Sequence, residues 1–113
     1  MPNITPDTME RMVESRLVQT FRQYPRAGLY LSSSCRNTLL QIIAGGVFRP
    51  DTVRFRMGLV IEKERWTLQA RLAWRDLFKM YTDAYIEADH ANNKELLQAM
   101  SDGILAAGKI QVS

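Results

Sequence analysis

The chain is 113 residues long, 46% hydrophobic and 24% charged, with a formal net charge of +3. These values describe one folded domain over residues 1–113, burying about two-thirds of its unfolded surface, and they exclude wholesale disorder. A single cysteine excludes an internal disulfide and a multi-cysteine zinc site within one chain.

The first residues, Met-Pro-Asn-Ile-Thr-Pro-Asp, hold neither a basic n-region nor an apolar h-region, so no secretory signal is expected. Thr5 or Asp7 can cap a first helix, Pro6 suits its first turn, and Asp7 and Glu10 place negative charge at its positive end. Met9, Met12, Val13, Leu17, Phe21 and Tyr24 repeat at three- and four-residue spacing and form its apolar stripe, which Pro25 ends.

Leu29-Tyr30-Leu31 reads as a short strand or a packing segment. Ser32, Ser33 and Ser34 offer N-caps for a second helix carrying Leu39, Leu40, Ile42 and Ile43, and Gly45-Gly46 stops it. The longest apolar run, residues 39–47, is interrupted by Gln41 and the two glycines and falls short of the ~20 residues that span a bilayer. The expectation is a soluble, cytoplasmic protein with no membrane partner.

Over residues 52–61, Val53, Phe55, Met57, Leu59 and Ile61 alternate with Arg54, Arg56 and Gly58, a period of two. This predicts a minor β element around 53–61 with Arg54 and Arg56 on its polar face. Its partner would be Leu29 to Leu31, the C-terminal Lys109 to Val112, or the same strand in another subunit. The competing reading is a helix opened by Pro50-Asp51. Continued through the next segment, that helix would reach nearly forty residues, against a typical length of about 12.

A long helix is expected from about Lys63 to Asp89, with Trp66, Ala70, Ala73, Trp74, Leu77, Phe78, Tyr81, Ala84 and Tyr85 on one broad face. Leu68 and Leu72 fall on the opposite side, and a helix apolar on two sides is usually packed on two sides. Trp66, Leu68, Ala70, Leu72 and Trp74 also alternate, which keeps open a hairpin with 53–61. Asn92 or Asn93 caps a last helix bearing Leu96, Leu97, Met100, Ile104 and Leu105, ended by Gly108. The fold class is therefore mainly α, about four helices with the minor β element.

Charge is unevenly placed. Residues 1–75 hold twelve cations against six acids, net +6, and residues 76–113 hold three lysines against six acids, net −3, together the +3 of the chain. No carboxylate lies between Glu14 and Asp51, where Arg16, Arg22, Arg26, Arg36 and Arg49 sit, with Arg54 and Arg56 just beyond. These seven arginines form the candidate partner or anion interface, because a guanidinium fork suits fixed contacts with carboxylate or phosphate. Trp66, Leu68, Leu72 and Trp74 form the candidate apolar interface.

Four other constellations are weak. Asp83, Glu87 and His90 share one helical face, but a carboxylate-histidine metal site needs more ligands than this chain's one histidine supplies. Cys35 follows three serines and precedes Arg36, which would favour thiolate, yet no base accompanies it and a buried, inert thiol is expected. The serine run with Arg36 lacks the glycines and lysine of a phosphate loop. Trp66, Trp74, Tyr81 and Tyr85 near Arg65, Arg71 and Arg75 suit base stacking and protein interfaces equally.

No paired acid and base, nucleophile with a base, or cofactor loop is visible, so neither an enzyme nor a cofactor or small-molecule substrate is expected. The first expectation is a non-enzymatic assembly subunit (ring, connector or adaptor) whose partners are copies of itself and other protein subunits. The alternative is a small basic nucleic-acid-binding protein using the Arg16 to Arg56 region. The third is a monomeric regulator or inhibitor of a macromolecular partner.

Overall fold

The computed structural model describes residues 4–87 and 93–112, and these are helical almost throughout. Helix α1 spans Pro6–Gln23. Its N-cap Thr5 accepts a hydrogen bond from the Thr8 N–H at 3.2 Å, with Pro6 in the first turn as expected. Met9, Val13, Leu17 and Phe21 are its buried stripe.

After Pro25 the backbone re-enters right-handed helical geometry and keeps it to Gly45, through α2 (Ala27–Leu29), a π-helical segment (Tyr30–Cys35) and α3 (Arg36–Gly45). Neither a strand at Leu29 to Leu31 nor a serine cap is formed. Hydroxyls here bond back one turn instead: Ser33 Oγ donates to the Leu29 carbonyl at 2.6 Å and Thr38 Oγ1 to the Ser34 carbonyl at 2.9 Å. Gly46 ends α3 as the sequence suggests, at φ 81°, its N–H reaching the Ile42 and Ile43 carbonyls.

The β element around 53–61 is not present. Residues Pro50–Glu64 form α4, opened by Pro50 in its first turn and with Asp51 at its positive end. The apparent alternation was two helical stripes superimposed. Val53 and Met57, four residues apart, face the core, while Phe55 and Leu59, also four apart, face outward. The objection from length is met by a break that no glycine or proline announces. Arg65 adopts φ 52°, its N–H reaches the Glu62 carbonyl and the Trp66 N–H reaches the Ile61 carbonyl, both at 3.3 Å. This is the usual glycine-type helix stop made by an arginine.

Thr67 then caps α5 (Leu68–Glu87), its Oγ1 accepting from the Ala70 N–H at 3.2 Å. The helix expected from Lys63 therefore starts five residues later, and Trp66 lies in the turn before it. The alternative hairpin with 53–61 does not form, and the C-terminal segment named as one candidate pairing strand belongs to α6 (Asn93–Val112). Gly108 lies within α6 rather than ending it. Among the described residues no helix is long and apolar enough to cross a membrane.

The core joins one stripe from each helix. The α1 stripe meets Leu96, Leu97, Met100 and Ile104 of α6, all buried, and α5 adds Ala70, Ala73, Leu77, Tyr81 and Ala84. The α1–α6 pair is the closest approach. A Cβ built on Gly103 would lie 2.6 Å from the Glu10 carbonyl oxygen and 2.9 Å from Val13 Cβ. Tyr81 fastens the loop before α4 by donating its hydroxyl to the Phe48 carbonyl at 2.5 Å.

Two glycine substitutions should act in opposite directions. Gly103→Ala forces α1 and α6 apart and should cost about 1–3 kcal/mol in denaturant unfolding. Gly58→Ala meets nothing within 4 Å of its new methyl group, and in dilute solution it should stabilise the protomer by up to ~1 kcal/mol through helix propensity.

Candidate functional site

The seven arginines do not share one fate. Arg16 of α1 donates to Asp76 of α5 at 3.0 Å, with both side chains half exposed. It therefore answers an acid of its own chain, and an exposed pair of this kind contributes under about 1 kcal/mol. Arg56 reaches the Gln41 side-chain carbonyl at 3.1 Å and ties α4 to α3. Arg36 is half-buried, and its Nε has no hydrogen-bond acceptor among the described residues. Arg22, Arg26, Arg49 and Arg54 are exposed and make no ion pair among the described residues. They come from α1 (Arg22), the bend after it (Arg26), the N-cap of α4 (Arg49) and α4 itself (Arg54), so they are divided among several elements.

The four residues read as an apolar interface divide in two. Trp66 and Trp74 are core residues, 3% and 6% exposed. Trp66 packs against Tyr30 with ring centroids 5.6 Å apart and donates its indole N–H to Glu64 at 3.0 Å, and Trp74 packs against Phe78 at 5.8 Å. The base-stacking reading loses both indoles to this packing. Leu68 and Leu72, one turn apart at the start of α5, are by contrast 63% and 46% exposed.

A second outward apolar pair went unread in the sequence. Phe55 and Leu59 are 66% and 52% exposed, and with Asp51, Arg54, Gly58 and Glu62 they line a shallow depression along α4. The positions 51, 54, 55, 58, 59 and 62 follow helical spacing, and that was the available signal. It was hidden because the period-two pattern assigned Phe55 and Leu59 to the same buried strand face as Val53 and Met57.

The chemical candidates are plain in the structure. Cys35 is fully buried, and burial pushes its thiol far above the ordinary range. Asp83 and Glu87 are exposed on α5, while His90 lies outside the described residues. Among the described residues no group of three or more His, Cys, Asp and Glu side chains is placed to hold a metal ion. Ser32 and Ser34 are half-buried within the π-helical segment rather than at a helix start.

The buried thiol makes two measurable statements. Cys35 should react with a disulfide reagent only as fast as the chain opens, accelerating sharply in denaturant. Because its folded pKa is raised, the folded state holds the proton longer. The contribution of Cys35 to stability should be constant below the ordinary thiol range (about 8.5) and should be lost as pH rises through it. Cys35→Val should reduce that alkaline loss. Comparison with protein-family models, curated proteins and solved structures finds no match to this chain.

Proposed function

We propose that this chain is a non-enzymatic assembly subunit, a small helical module that joins copies of itself or other protein subunits in a larger complex. The observation that carries the reading is the outward pair Phe55 and Leu59, on a helix whose opposite face, Val53 and Met57, is already buried in the protomer. Two large side chains at helical spacing, flanked by charge, form a recognition stripe of the kind used when helices dock on one another. Leu68 and Leu72 supply a second apolar step of the same design. Arg54, without an ion pair among the described residues, supplies charge at the rim, where charge sets partner choice more than affinity.

A nucleic-acid reading is favoured by one specific observation: four of the seven candidate arginines, Arg22, Arg26, Arg49 and Arg54, are exposed without an ion pair among the described residues. Their scatter over several elements argues against it, since a phosphate backbone is tracked by a continuous basic stripe. The assembly reading also leaves the arginines partners, in the acids of another subunit.

Light scattering across concentration tests the reading. A mass above the 13.0 kDa protomer is expected, rising with concentration. Replacing Phe55 and Leu59 together by Ser should lower that mass while leaving the helical circular dichroism unchanged, because neither side chain is in the core. One protomer mass throughout, with DNA or RNA affinity falling steeply with salt, would transfer the role to nucleic-acid binding.

A further inference from the structure

Resting on the assembly reading, we infer that the partner of α4 is α4 of a second copy, lying antiparallel and crossing at Gly58. Three independent features of one helix lead there.

The first is Gly58 itself. Glycine inside a helix is unfavourable by about 1 kcal/mol relative to alanine, and the protomer makes no use of the missing side chain, since a Cβ there would meet nothing within 4 Å. The same chain uses a glycine elsewhere to bring two helices together: at Gly103 a Cβ would strike the α1 backbone at 2.6 Å. Gly58 is the same device on a surface where the second helix is absent from the protomer. A glycine at the crossing point lets two backbones approach closely.

The second is charge. Arg54 and Glu62 stand four residues either side of Gly58 on α4. Both are exposed and neither has an ion pair among the described residues. Reversing the helix about Gly58 brings Arg54 of one copy to Glu62 of the other. The contact occurs twice by symmetry, as a two-fold interface requires. A parallel arrangement in the same register would oppose like charges at both of these positions. Antiparallel packing also sets the two helix dipoles head to tail.

The third is the apolar content. Phe55 and Leu59 flank Gly58, so each copy's pair covers the other's across the crossing, and the charges form the rim. A single pair of fifteen-residue helices is a small interface, and small interfaces of this class associate reversibly and weakly.

Sedimentation velocity from about 1 to several hundred micromolar, at low salt, tests the arrangement. Arg54→Glu and Glu62→Arg should each raise the dissociation constant about tenfold, since each turns two attractive contacts into repulsive ones. An equimolar mixture of these two variants should associate about as tightly as the parent, because every cross-pair is then again of opposite sign, and the double variant should do the same. Gly58→Leu should abolish association while its helical circular dichroism and dilute-solution melting equal or exceed the parent's. Failure of the mixture to restore association would overturn the antiparallel register. Association indifferent to Arg54→Glu and Gly58→Leu would overturn the α4 contact while leaving the assembly reading in place. A parent chain that stays monomeric throughout would overturn the α4 contact and self-assembly together.

Discussion

The structure depends on how closely α1 and α6 meet. With no Cβ at Gly103, the α6 backbone seats against the Glu10 carbonyl and the Val13 side chain, and the stripes Met9–Val13–Leu17 and Leu97–Met100–Ile104 are buried together in the core. Interiors are close-packed, so a methyl group at that contact must displace one helix or the other. The first and last helices of the chain thereby form one unit, and the intervening segments are arranged around it. A second close contact lies further along α6, where a Cβ on Gly108 would meet Ser32 Oγ at 2.8 Å.

With that pair set, the chemistry of the surface follows from which faces remain. Helix α5 gives its Ala70–Ala73–Leu77–Tyr81–Ala84 face to the core and leaves Leu68 and Leu72 outside. Helix α4 gives Val53 and Met57 and leaves Phe55 and Leu59. Both helices contact the protomer along one face, and each retains apolar side chains on the other. The aromatic residues that look most like interface residues by type, Trp66 and Trp74, are used up by ring packing against Tyr30 and Phe78. The exposed apolar surface of α4 and α5 rests on leucine and phenylalanine rather than on the indoles.

The arginine surplus also resolves into separate roles. Arg16 meets Asp76 within the chain, Arg56 bridges two helices through Gln41, and Arg65 takes a left-handed turn to divide α4 from α5. What joined these residues in the sequence was only the lack of nearby carboxylates, and sequence neighbours on a helix point in different directions. Of the seven, Arg54 combines exposure, the absence of an ion pair among the described residues, and a position beside the exposed pair Phe55 and Leu59.

The sequence by itself determined the helices whose apolar residues recur on one face: α1 with its Thr5 cap and Pro6, the stop at Gly46, and the core positions of α5 and α6. Each of these is local, encoded by spacing and by residues whose caps or backbone angles are their own property. Only the tertiary structure decided α4. A run with apolar residues at every second position satisfies a strand and a two-faced helix equally well, and the choice depends on whether one face has a neighbour to bury it. Val53 and Met57 are buried in the core while Phe55 and Leu59 stay outside on the opposite face, and the left-handed turn at Arg65, which no residue type signals, set where that helix ends. For the same reason composition could nominate Trp66, Leu68, Leu72 and Trp74 as a group, but packing alone could separate the two that are buried from the two that face outward.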